Sequence, residues 1–130
     1  MTSVLNVDTI AAKDGTSPVG LTKQAAAKVF ADFNTSSNNT IEKSLNVASK
    51  TDNGVGDSTL NFSNSFDGTA YGAHFDHATN AVGNSNIYVG GVRNSGKSAG
   101  SCRVLNAYDP GTITGSDSDN NSFLAVGDLA

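Results

Sequence analysis

Tryptophan is absent from this chain, cysteine and methionine occur once each, and there are only two arginines and one glutamate, Glu42. Each shortage closes a door. A lone Cys102 makes no internal disulfide and no cysteine zinc cluster; inside SCRVLNAY it reads as a small apolar strand residue. One glutamate leaves no glutamate pair for acid–base work, and no Ser-His-Asp arrangement is readable. Charged residues make up only 15% of the chain and sum to −4, a balance that does not neutralise phosphates and argues against nucleic acid as a partner. No window approaches the 18 apolar residues of a membrane span. The start, MTSVLNVDTI, has neither the basic head nor the apolar run of a secretory signal, so synthesis in a cytoplasm without a membrane address is expected.

What is present is small and polar. Ser, Thr and Asn account for 43 of 130 residues, while Leu, Ile, Val and Phe together account for 28. Hydroxyl and amide side chains compete for backbone hydrogen bonds and favour turns and strands over helix interiors. So few large apolar side chains leave little burial to set against chain entropy. Such a chain gains from burying surface against copies of itself, which points to an oligomer. A surface of hydroxyls and amides suits virion parts, secreted proteins and adhesins.

Along the chain, residues 1–22 stand apart. TSVLNVDTI alternates and is followed by the turn-rich KDGTSPVG, an extended arm whose apolar residues are Val4, Leu5, Val7 and Ile10. Next, Gln24–Lys28 has helical propensity for one or two turns, which leaves two options: a linker turn, or a short helix bundling several copies. From Val29 onward the period is two. VFADF aligns Val29, Ala31 and Phe33. IEKSLNVAS aligns Ile41, Leu45 and Val47. STLNFSNSF aligns Leu60, Phe62 and Phe66, and AYGAHFD aligns Tyr71, Ala73 and Phe75. NIYVGGV, SCRVLNAY and NSFLAVGD complete seven candidate strands, separated by segments of turn chemistry. The expected fold is all-β: a small antiparallel β-sandwich of about seven strands over residues 23–130, with an extended N-terminal arm.

The stretch SLNVASKTDNGVGDSTLNFSNSFDGTAY adds a resemblance. It is similar to a small β domain at the C-terminal end of many bacteriophage tail-fibre and virion proteins, in which a segment of the form SSITDNGTGDYTVNF recurs. KVFADFN stands where that family has an aromatic-rich strand, and SCRVLNAYDPGT and SDSDNNSFLAVGD resemble its paired late strands. The chain departs from the pattern at Ala31, where the family often has a large residue, in having no Trp, and in FSNSFDGTAY, which lacks the family's Pro. The resemblance implies a virion structural component, commonly a homotrimer, with exposed loops for host contact and no catalysis.

Four constellations invite chemistry. Gly91–Ser98 spells the phosphate-binding pattern G-x-x-x-x-G-K-S. A working loop of that kind opens a helix, whereas AGSCRVLNAY continues as a strand, so an exposed hairpin loop with Lys97 in water is expected. Asp117, Asp119, Asn121 and Asp128 have calcium-loop spacing, but position six is Ser122 and no helices flank it, which favours a solvated acidic turn. Asp52, Asn53 and Asp57 in TDNGVGD belong to a hairpin announced by Asn-Gly. His74 and His77 point to opposite faces of a strand, so one chain cannot easily use both, although symmetry copies could gather one each.

The sequence therefore points to a bacteriophage virion structural protein without enzymatic activity or cofactor: a short tail fibre or fibre tip that trimerises and presents polar loops. Its expected partners are its own copies, other virion proteins through the arm, and a host-surface glycan or protein, with no nucleic acid and no membrane insertion. A capsid decoration or head fibre is the nearest alternative. A soluble carbohydrate-binding module is the alternative of another class, although three Tyr and six Phe offer few stacking platforms.

Overall fold

A computed structural model describes residues 26–36, 40–78, 87–109 and 114–130. The arm with Val4, Leu5, Val7 and Ile10 lies outside the described residues. So do Gln24 and Ala25; Ala26–Lys28 is not helical, and the Lys28 amide donates to the Ala125 carbonyl at 2.8 Å.

Among the described residues, nine strands form two antiparallel sheets and there is no helix. The first sheet has the order β2 (Ile41–Leu45), β1 (Val29–Phe33), β9 (Asn120–Val126), β5 (Gly72–Ala78). The second has the order β3 (Val47–Gly54), β4 (Asp57–Phe62), β7 (Ser101–Asp109), β6 (Ile87–Lys97). The two-residue β8 (Thr114–Gly115) joins the far end of β7 beyond β4. The small all-β sandwich expected from the alternation is the fold observed.

The period-two faces close on one another. Val29, Ala31 and Phe33 of β1, Phe123 and Ala125 of β9, and Phe75 of β5 meet Leu60 and Phe62 of β4 and Cys102 and Val104 of β7. Aromatic rings fill the space that a chain short of leucine leaves. Phe62 packs edge-on to Phe66 at 5.6 Å between centroids and to Tyr71 at 6.1 Å, and Phe66 stacks on Tyr71 at 4.1 Å. Such pairs contribute about 0.5–1.5 kcal/mol beyond burial.

Nine strands rather than seven arise at two places. IEKSLNVAS is not one strand: the chain turns at Asn46, whose φ of 58° makes it the one described non-glycine residue with positive φ. Asn tolerates that conformation because its short amide bonds locally. Here Asn46 Oδ1 accepts the Asn64 amide at 2.6 Å and Asn46 Nδ2 donates to the Asn64 carbonyl at 3.0 Å. β2 thus ends as the edge of one sheet and β3 begins as the edge of the other. Leu45 stays 54% exposed instead of joining Ile41 and Val47. The other addition is β8.

Two buried amides cross the sandwich. Asn106 of β7 donates to Asn121 Oδ1 of β9, and Asn121 Nδ2 donates to the carbonyls of Phe33 at 3.0 Å and Ser118 at 2.9 Å. Removing one member strands several buried groups, each costing about 1–3 kcal/mol. Asn121→Ala should therefore lower unfolding stability by about 3 kcal/mol in urea titrations, with unchanged far-UV circular dichroism in water.

Candidate functional site

Side chains of β7 alternate: Cys102, Val104 and Asn106 point inward, so Arg103, Leu105 and Ala107 belong to the outer face of the second sheet. Val92 pairs with Val104, and its successor Arg93 comes to the same outer face; Asp57 pairs with Leu105. Both arginines of the protein converge on this one carboxylate. Arg103 donates from Nε to Asp57 Oδ1 and from Nη2 to Oδ2, each at 2.7 Å, and Arg93 Nη1 donates to Oδ2 at 2.9 Å. The Asp57 side chain is only 12% exposed, against 37% for Arg103 and 44% for Arg93. Hydrogen bonding from Arg103 holds the Asp57 carboxyl below its usual range, and Asp57 in turn raises the Arg103 guanidinium.

A polar ladder continues from this cluster toward the β3 edge. Asn53 Nδ2 donates to Thr59 Oγ1 at 2.9 Å and to Asp57 Oδ1 at 3.4 Å. Asn61 Nδ2 donates to Ser49 Oγ at 3.1 Å and Thr51 Oγ1 at 3.2 Å. On the other side lies an open groove of about 250 Å³ lined by Val89, Gly90, Gly91, Val92, Arg93, Leu105 and Ala107.

The G-x-x-x-x-G-K-S segment contributes Arg93 to this face and nothing to a phosphate cradle. β6 runs through Lys97, with a bulge between Val92 and Lys97, and the connection to β7 is only Ser98–Gly100. The expected exposed loop is thus mostly strand. Lys97 does not face open water either: its ammonium sits 4.2 Å from the Tyr71 ring centroid and donates to the Tyr71 carbonyl. Gly96 serves close approach, since a Cβ there would lie 2.3 Å from Arg103 Cβ.

The other candidates are dispersed. Asp117 Oδ1 accepts the Gly56 amide at 2.8 Å, and Asp119 Oδ1 accepts from Asn34 Nδ2 at 3.3 Å and from the Ser36 hydroxyl. Asn121 is buried in the core, while the Asp128 carbonyl pairs with the Asp67 amide beyond the far end of β9. The acidic segment is therefore a set of turn acceptors, as its lack of flanking helices suggested. In TDNGVGD the hairpin forms one step later than Asn-Gly announced: Val55-Gly56 make the turn, with φ of 126° at Gly54 and 68° at Gly56. Asp52 Oδ1 caps the Gly54 amide at 2.9 Å. His74 is exposed on the outer face of the first sheet, whereas His77 is half-buried on the opposite side of β5, toward Gly90. No group of three His, Cys, Asp or Glu suited to a metal ion occurs among the described residues. Cys102 is fully buried and its thiol is pushed up by that burial, which suits a packing residue.

The Asp57–Arg93–Arg103 cluster is the feature that turn-based reading passed over. Its signal was available in V-R and C-R-V: at period two each arginine must point away from its inward-facing valine, Val92 or Val104. Comparison with protein-family models, with curated proteins and with solved structures finds no match.

Two outcomes follow from this geometry. Magnesium-ATP should leave the melting temperature unchanged, because no helix N-terminus backs Gly91–Ser98; a magnesium-dependent rise contradicts this placement. Asp57 has a depressed folded-state pKa, so its contribution is complete above the unfolded value of about 3.9 and is lost as pH falls through the folded value. Urea midpoints measured from neutral to strongly acid pH should therefore fall more steeply for the native chain than for Asp57→Asn. At neutral pH that substitution should cost about 1–2 kcal/mol, the solvent-exposed guanidiniums limiting the loss.

Proposed function

We propose that the chain is a bacteriophage virion structural protein, a short tail-fibre or fibre-tip component that forms a homotrimer and presents polar loops to a host surface. The TDNGVGDSTLNF resemblance supports the class, and one surface supports the assembly. Across the outer face of the first sheet, Leu45 pairs with Phe30, Phe30 with Leu124, and Leu124 with His74. Leu45 is 54% exposed and Leu124 42% exposed. A parallel row of Lys43, Asp32, Ser122 and Asp76 borders them. Apolar surface rimmed by charge marks an interaction face. Three such sheets facing a common axis would bury the row and supplement a core built from few large aliphatic side chains. His74 would then approach its symmetry mates. The arm, with Val4, Leu5, Val7 and Ile10, would dock to another virion protein by strand addition or in a groove.

Light scattering tests the assembly: a mass three times the 13.2 kDa chain is expected, falling to the monomer in Leu124→Asp with circular dichroism unchanged. A monomeric native chain overturns the trimer, and one that also binds glycans favours the carbohydrate-module reading to which the Arg93 groove lends itself. Deleting residues 1–22 should abolish incorporation into particles while the sandwich still folds; retained incorporation contradicts the docking arm. Electron microscopy of the particle separates a tail position from a capsid decoration or head fibre.

A further inference from the structure

We propose that the groove beside Arg93 is a subsite for an acidic saccharide, a sugar unit whose carboxylate is taken by the Arg93 guanidinium. This deepens the host-contact part of the proposed function by naming the receptor chemistry. Charge comes first. In a chain of net −4, the cluster joins two guanidiniums to one carboxylate and keeps a local excess of one positive charge. Asp57 is fully engaged, receiving Arg103 on both oxygens and Arg93 on one. Arg93 spends a single N–H on Asp57. Among the described residues no other acceptor engages its remaining donors, which can meet an external anion, and the carboxylate fixes the plane in which they are offered. A planar guanidinium held in this way matches a second carboxylate in a two-point fork.

Shape then selects the ligand. The groove of about 250 Å³ is smaller than the roughly 300 Å³ at which drug-sized pockets begin, a size for one sugar ring rather than an extended chain. Val89, Leu105 and Ala107 give it an apolar wall for the C–H face of a ring. Gly91 keeps it open, since no atom lies within 4 Å of where its Cβ would be. No aromatic ring is among the described residues that line the groove, so affinity there comes through charge rather than through stacking on a neutral sugar. The groove opens on the face of the second sheet, beside its edge strand β6. A peptide strand added along that edge would draw on backbone groups in the plane of the sheet rather than on the groove. The face itself offers the side-chain donors of Arg93 on a rigid platform.

The test uses the isolated full chain, labelled for amide NMR and titrated with sialyllactose, with lactose, and with a short acetylated peptide bearing a free C-terminal carboxylate. Sialyllactose should shift the amides of Gly90, Gly91 and Leu105, weaken in high salt, and bind about tenfold less tightly to Arg93→Gln. That variant keeps the Arg103–Asp57 pair, so the fold is preserved, and an unchanged spectrum away from the groove verifies it. Val89→Glu, which places a like charge at the rim, should weaken binding as well. Equal binding of lactose, unchanged affinity in Arg93→Gln, or no shift with sialyllactose overturns the proposal. Shifts caused by the peptide and not by the saccharide also overturn it, in favour of a peptide ligand. Because the titration needs neither particles nor trimers, its failure beside an intact trimer leaves the assembly standing, and binding by a monomer leaves this subsite standing.

Discussion

One residue ties the two sheets, the β4 hairpin and β8 into a single body. Asn106 donates its backbone N–H to the Gly56 carbonyl at 2.6 Å, accepts the Ser116 amide at 3.1 Å, and sends its side-chain amide across the interior to Asn121. Asn121 passes the connection to Phe33 and to the turn at Ser118. The cost is visible too: Asn106 Oδ1 is buried with no partner among the described residues, a burden of about 1–3 kcal/mol. Such a polar crossing specifies where β7 sits against β9, because a one-residue slip would turn Asn106 outward and leave Asn121 without its donor. Gly56 belongs to the same constraint. Its φ of 68° and a would-be Cβ 2.3 Å from the Asn106 carbonyl leave room for no side chain.

The faces were legible and the route between them was not. Alternation placed Val29, Ala31, Phe33, Leu60, Phe62 and Phe75 on faces that prove to be core and set His74 opposite His77, because a pleat reverses every residue regardless of partner. Period alone does not tell which sheet a strand joins. Asn46 changes sheets through a left-handed backbone, and Asn appears 15 times in the chain, so that event had no distinguishing letter. RNSGK failed for the converse reason. Its residues are common in turns, yet Gly96 there lets a strand run close over Arg103. Asp57 was hidden inside a recognised hairpin motif, which accounted for its position and left its carboxylate unexamined.

The two outer faces carry unlike chemistry, and this follows from how the polar residues are distributed. On the first sheet, Phe30, Leu45 and Leu124 interrupt an otherwise hydrophilic surface, and Asp32 is satisfied by the Ser122 hydroxyl at 3.3 Å. On the second, a guanidinium pair stands between the amide and hydroxyl ladders and the apolar groove at Val89, which is 46% exposed. A sandwich with both faces of the first kind would be prone to unspecific association. With one of each, the proposed assembly can close through one sheet and leave the other in solvent.

That division also bears on how weak contacts could serve attachment. Phe33, Phe62, Phe66, Phe75, Phe123 and Tyr71 are all committed to the interior, because the sandwich has few large aliphatic residues to fill it. Rings that hold the core are not available to stack on sugars, so any recognition on the second sheet depends on charge and hydroxyl contacts, which water and salt weaken. A single site of that kind binds loosely. In the proposed trimer three copies would present it together, and linked sites gain about 10²–10⁴ in avidity when their spacing permits simultaneous engagement. Scarcity of large apolar side chains would then act twice, favouring association to bury the first sheet and making useful the repetition that association brings to the second.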